Sequence, residues 1–118
     1  MSGWRRRLEP LPAVELGAGL HVHEAHGFHA RRRGLGGLAT LPAERALRIR
    51  TRAVHTFTMR FPLDLIWLGR HGEVLRVDRD VPPRRHRACR RARAVVETNG
   101  GCADRFLLHG IGGYTSNC

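Results

Sequence analysis

Leu63-Asp64-Leu65-Ile66-Trp67-Leu68 is a nearly continuous apolar run, bounded by Pro62 before it and Gly69-Arg70-His71-Gly72 after it. Six residues are too few for a buried helix and suit a central strand covered on both faces. The glycine-bearing turn returns the chain through Glu73 to Val77, which makes this the clearest hairpin in the sequence. One polar residue, Asp64, breaks the run. By strand alternation it shares a face with Ile66 and Leu68. An ionised carboxylate there is expensive unless it is paired or hydrogen-bonded.

Upstream of the run, Val14 to Leu16 reads as a short strand closed by Gly17-Ala18-Gly19. Leu20 to Glu24 alternates, with Leu20 and Val22 opposite His21 and His23, as in a half-buried strand. Gly27 to Leu35 carries Phe28, Ala30 and Leu35 among arginines, a short helix ended by Gly34, Gly36 and Gly37. Leu41-Pro42-Ala43-Glu44 is a connector. Leu47 and Ile49 alternate with Arg48 and Arg50, the pattern of an edge strand. Val54 to Met59 is a further strand, with Val54, Thr56 and Thr58 opposing His55, Phe57 and Met59. Downstream, Val81-Pro82-Pro83 and the arginine-rich stretch to Arg93 read as a long connection outside the core. Ala94 to Glu97 is a strand, Asn99-Gly100-Gly101 a turn, and Cys102 to His109 a helix of a turn or two. Many short strands with little helix give a mainly β fold, a sandwich or partly open barrel with one or two short helices.

The chain has 118 residues, enough for one domain and a thin core. No stretch approaches the roughly 20 apolar residues of a membrane helix. Arg5-Arg6-Arg7 is followed by Leu8-Glu9-Pro10-Leu11-Pro12, unlike a signal peptide, so a cytoplasmic location is expected. The formal charge is +11, and all 21 basic residues are arginine. With abundant Ala, Gly and Pro, the simplest reading is a GC-rich coding sequence that places arginine on an ordinary solvated surface. The charge also permits weak, salt-sensitive binding to polyanions such as nucleic acid. The runs Arg31 to Arg33 and Arg84-Arg85-His86-Arg87 contain no aromatic residue for base stacking.

Cys89, Cys102 and Cys118 form no CxxC pair, disulfide framework or zinc-ribbon spacing. His21, His23, His26 and His29, with Glu24, match no closed metal site, so no metal is expected. Gly34-Leu35-Gly36-Gly37 lacks the spacing of a phosphate loop, so no nucleotide cofactor is expected either. A relay of His55, Asp64 and Cys89 has no support in its spacing.

Four segments, in order, resemble the uncharacterised DUF192 (UPF0127) family. They are Ala30-Arg31-Arg32-Arg33-Gly34-Leu35, Val54 through Asp64 with its Phe57-x-Met59 and Pro62-x-Asp64 elements, Gly72-Glu73-Val74, and Ala94-Val95-Val96-Glu97 followed by Gly101. The second is the specific one. The resemblance spans about residues 14–111 and implies a compact, jelly-roll-like β domain over 13–113. That leaves residues 1–12 as a loose basic lead-in and 114–118 as an atypical tail. It brings no established reaction.

The resemblance also selects site residues. Arg33 and Arg60 lie in matched segments and are candidate partners for Asp64. Glu97 is a second carboxylate, and Phe57 and Met59 share a strand face that could floor a pocket. The leading expectation is a non-enzymatic module binding a small molecule or peptide near Arg33, Phe57, Met59, Arg60, Asp64 and Glu97. The alternatives are a basic polyanion-binding domain and a hydrolase using Asp64 and Glu97 as paired carboxylates.

Overall fold

Strand β5 (Leu63–Leu68) has all six residues buried. In the computed structural model it lies inside a six-stranded sheet, flanked by β6 (Val74–Val81) and β8 (Ala94–Asn99). Beyond β8 the sheet continues through β3 (Arg45–Ile49) and β2 (Leu20–Glu24) to β1 (Ala13–Gly17). A separate two-stranded sheet pairs β4 (Ala53–His55) with β7 (His86–Ala88). Three short helices complete the described elements: α1 (Gly3–Leu8), α2 (Gly27–Arg33) and α3 (Ala103–Leu108). The described residues are 3–111, without the side chains of Phe28, His29 and Arg32. The tail 114–118 and the readings placed on Phe28 and His29 therefore lie outside them.

The mainly β architecture is as expected, and the larger sheet is open, with β1 and β6 at its edges. Every pairing is antiparallel except β2 with β3. That parallel pair requires a crossover, and α2 lies in it. It also moves β3 from the expected edge to the interior, between β2 and β8. Of the two arginines that suggested an edge, Arg48 finds a partner across the parallel ladder, while Arg50 lies past the end of β3 and is exposed. Arg48 donates to both carboxylate oxygens of Glu24 at 3.0 and 3.1 Å, and Arg45 meets His23 Nε2 at 3.1 Å.

Strand alternation divides the core between the two faces of the sheet. Leu47, Ile49, Leu63, Leu65, Trp67 and Val95 pack on one face with Leu35, Leu38, Leu41 and Met59. Leu20, Ala46, Ile66, Leu68 and Val96 pack on the other with Ala103, Phe106 and Ile111. Each fully buried Leu, Ile or Phe contributes about 1.5–3 kcal/mol through removal from water. The Trp67 indole keeps its polar edge satisfied by donating to Asp78 Oδ2 at 2.9 Å.

Two further expectations are corrected. Residues 1–12 are not simply a loose lead-in, because Gly3–Leu8 is helical, with Leu8 fully buried and Trp4 nearly so. The two stand four residues apart on one helix face. The guanidinium carbons of Arg5 and Arg45 lie 4.9 and 5.0 Å from the centre of the Trp4 ring. The 81–93 segment is likewise not only a connection: it contains β7, and Ala92 is fully buried. It is tied to residue 56, where the Thr56 hydroxyl donates to the Pro82 carbonyl at 2.7 Å and accepts the Arg85 amide at 2.8 Å. The expected strand 54–59 therefore ends at His55 and turns at Thr56. No helix among the described residues is long and apolar enough to cross a membrane.

Candidate functional site

Glu97 occupies the middle of β8, in register with Leu47 on one side and Leu65 on the other. Both leucines are buried, and so is the Glu97 side chain. Its Oε1 has no hydrogen-bond partner. Burial raises the carboxyl to about 7, and the Leu35 backbone amide offsets this only in part. A carboxyl in this condition changes charge near neutral pH. As an acid it can donate a hydrogen bond, and as an anion it accepts strongly.

Above Glu97 lies a cleft of about 890 Å³. Ile49, Val54, Met59 and Leu35 supply apolar lining, while Thr51, His55 and Thr58 add polar groups. Arg31 and Arg33, from the C-terminal half of α2, also line it. The volume falls in the range that small-molecule sites occupy, and the mix of apolar walls with a few polar groups is typical of them.

The loop after α2 closes over the carboxyl, and its glycines are what allow it. Gly34 has φ 54° and ψ −130°, a conformation that residues with a β-carbon avoid. A β-carbon at this position would stand 3.3 Å from Glu97 Oε1 and 3.4 Å from Ile49 Cδ1. At Gly36 it would overlap the Thr58 hydroxyl oxygen. The loop is also held from outside the strand framework. Arg7 of α1 donates to the Gly34 carbonyl at 2.9 Å and to the Gly36 carbonyl at 3.0 Å.

Of the six residues expected to form the site, Arg33, Met59 and Glu97 come together in this cleft. Arg60 is exposed and does not line it. Phe57 is 59% exposed and stacks on His55 with ring centres 5.4 Å apart, so it is neither core nor pocket floor. The early end of β4 accounts for this, because the alternation that would put Phe57 beside Met59 is lost in the turn.

Asp64 belongs elsewhere. It pairs in register with Thr98, one position from Glu97, and therefore projects from the opposite face of the sheet. It is fully buried, as the apolar run implied. Its partners are not arginines. Oδ1 accepts the Asp80 amide at 2.8 Å, and Oδ2 accepts the amides of Gly101 at 3.1 Å and Ala103 at 2.9 Å. The expected ion pair with Arg60 or Arg33 is replaced by three backbone donors that join β6, the 99–102 turn and the start of α3. Asp64 and Glu97 share no cavity in which to act as paired carboxylates.

Among the described residues the histidines do not converge either. His23 is buried and meets Arg45, whereas His21 Nδ1 lies 3.1 Å from the Gly19 carbonyl. Sequence reasoning did not assign Gly34, Thr58, His55 or Arg7 to the site. The Arg33-Gly34 pair carried the signal for Gly34, since a glycine beside a helix end marks a positive φ. Nothing local to Arg7 signalled its contact, which spans 27 residues to Gly34.

The DUF192 family model, described as an uncharacterized ACR, matches residues 14–110. A crystal structure of a protein of unknown function from Novosphingobium aromaticivorans DSM 12444 is similar, with a TM-score of 0.65 and 20% identity, over 78% of this chain and 74% of that one. A second, a "putative transcription regulator" from Sinorhizobium meliloti 1021, has a TM-score of 0.66 and 21% identity, over 79% of this chain and 78% of that one. At these identities the likeness is one of fold. No curated protein matches. The matched span runs from β1 to the end of α3 and includes every residue that lines the Glu97 cleft, and on that match the chain belongs to the DUF192 family.

Proposed function

We propose that this chain is a binding module whose Glu97 cleft takes a small molecule. The observation that carries the reading is the buried Glu97 Oε1 without a partner at the cleft floor. A polar atom kept out of water without a hydrogen bond costs about 1–3 kcal/mol, and a ligand that supplies the bond recovers that cost. The ligand presents a neutral donor, such as an amide N–H or a hydroxyl, to Glu97. A cationic head group is disfavoured by Arg31 and Arg33, which instead suit an anionic group at the outer end. The apolar walls between them accept a short hydrocarbon segment. The cleft volume favours a small molecule over a peptide.

The test is a thermal-shift screen of hydroxy acids, acylated amino acids and amide-bearing carboxylates against the wild type, Glu97→Ala and Arg60→Ala. Compounds that stabilise the wild type and Arg60→Ala but not Glu97→Ala support the reading. Stabilisation that survives Glu97→Ala, or none by any compound in these classes, contradicts it.

A further inference from the structure

A group of arginines lies in a hollow beside the Glu97 cleft, with Arg31 bordering both. The hollow, of about 670 Å³, is lined by Arg31, Arg48, Arg50, Arg70 and Arg93. A second, of about 420 Å³, shares Arg70 and Arg93 and adds Arg90 and Arg91. The shared residues make the two hollows one basic track across the start of β8 and the β5–β6 turn. Its acidic residues are already engaged. Glu24 accepts both bonds from Arg48, and Glu73 accepts the His71 amide at 2.8 Å inside the turn. Among the described residues Arg50, Arg70, Arg90, Arg91 and Arg93 make no ion pair.

We propose that this track holds the sugar-phosphate backbone of duplex nucleic acid. Guanidinium groups that outnumber the carboxylates beside them favour an anion with several regularly spaced charges. The two shallow hollows, joined at Arg70 and Arg93, suit a phosphate backbone that runs across them. Among the described residues the exposed large apolar side chains are Val14, Phe57, Val74 and Leu108, and none lines either hollow. Among the described residues neither lining contains Phe, Tyr or Trp, and recognition is of backbone, independent of sequence.

The experiment measures binding of a fluorescein-labelled DNA duplex by anisotropy across a KCl series. It compares the wild type, a track variant (Arg50→Ala, Arg70→Ala, Arg93→Ala) and a charge-matched control (Arg6→Ala, Arg79→Ala, Arg85→Ala). All six positions are exposed, and circular dichroism checks that each variant folds. Each phosphate contact adds about 0.9 to the slope of log K against log salt. The track variant is expected to lose about 2 or more from that slope and at least tenfold in affinity near 0.1 M KCl, with the control losing less than half as much. Equal losses in both variants would mean diffuse surface charge and overturn the proposal. So would absence of duplex binding by the wild type. Equal or tighter binding to phosphatidylserine vesicles, or equal competition by poly-glutamate, would overturn it in favour of a membrane or an acidic protein. None of the three track substitutions touches the Glu97 floor, so this result and the small-molecule screen can fail separately.

Discussion

Gly34 lies against Glu97 so closely that a β-carbon on the glycine would stand 3.3 Å from the carboxyl oxygen Oε1. Contact and conformation act together here, because the φ of 54° and ψ of −130° also exclude a side chain. Gly34→Ala is expected to destabilise the fold by about 1–3 kcal/mol through strain alone, with more from the contact. Urea unfolding measures it. A double-mutant cycle with Glu97→Ala separates the two parts, and a cost for Gly34→Ala that is unchanged in the Glu97→Ala background would show that the contact contributes nothing.

Glu97 gives stability a definite dependence on pH. A carboxyl raised from 4.5 to about 7 by folding is protonated in the native state and ionised in the unfolded chain between those values. Its unfolded form therefore binds fewer protons, and stability falls as pH rises from 4.5 through 7. The whole effect is about 3 kcal/mol. Glu97→Gln lacks this loss, so its stability relative to the wild type should rise by about that amount between pH 4.5 and pH 8.5. Denaturant titrations at the two values check it. A relative stability that does not change with pH would contradict the burial argument.

His23 acts in the opposite direction. Burial, followed by the nearby Arg45 charge, lowers its imidazole below the ordinary 6.5. The unfolded chain then binds the proton first, and stability falls as pH drops through 6.5 toward the native value. His23→Gln should flatten this acid limb while leaving the alkaline limb in place, as read from thermal unfolding between pH 5 and pH 8.5. An unchanged acid limb would mean that another group sets it.

Asp64 is held by amides and not by an arginine, which distinguishes two sets of variants. Asp64→Asn keeps the size but turns an N–H donor toward donors already present, and should cost about 2–4 kcal/mol. Arg60→Ala and Arg33→Ala should each change stability by under about 0.5 kcal/mol, as exposed substitutions do. Chemical denaturation gives all three. A large loss in Arg60→Ala would restore the ion-pair explanation.

Arg7 links the first helix to the loop over Glu97. Arg7→Ala removes two charge-assisted hydrogen bonds to carbonyls, about 1.5–3 kcal/mol each where geometry is good and less at a half-exposed site. Its local signature is faster hydrogen exchange at the Gly36 and Gly37 amides, which bond to the Arg33 and Thr58 carbonyls. Arg7→Lys should protect these amides partly. Exchange as slow in Arg7→Ala as in the wild type would show that the loop holds itself.

The hairpin around β5, the strand that carries Glu97 and the two later helices were legible because their signals are local: an apolar run, turn residues, a glycine stop. The interior position of β3 was not, because a parallel partner supplied by a crossover leaves no mark on alternation. Arg48 reads as exposed until Glu24 is placed beside it. The burial of Asp64 was legible from its apolar neighbours, yet its partners were not, since backbone amides 16 to 39 residues away carry no residue-type signal. Glu97 was found by resemblance, but that it and Asp64 face opposite sides depends on register, and register emerges only when β5 and β8 pair. Phe57 was misplaced because Thr56, chosen as a strand residue, instead ties the turn to Pro82 and Arg85.

The most direct measurement is a carbon-13 NMR titration of the Glu97 side-chain carboxyl, assigned by comparison with Glu97→Gln. A midpoint near 7 is expected for a carboxyl shut between Leu47 and Leu65 with one oxygen unbonded. A midpoint at the ordinary 4.5 would mean that water or a cation reaches the group freely, and the cleft would then lose the feature that marks it as a binding site.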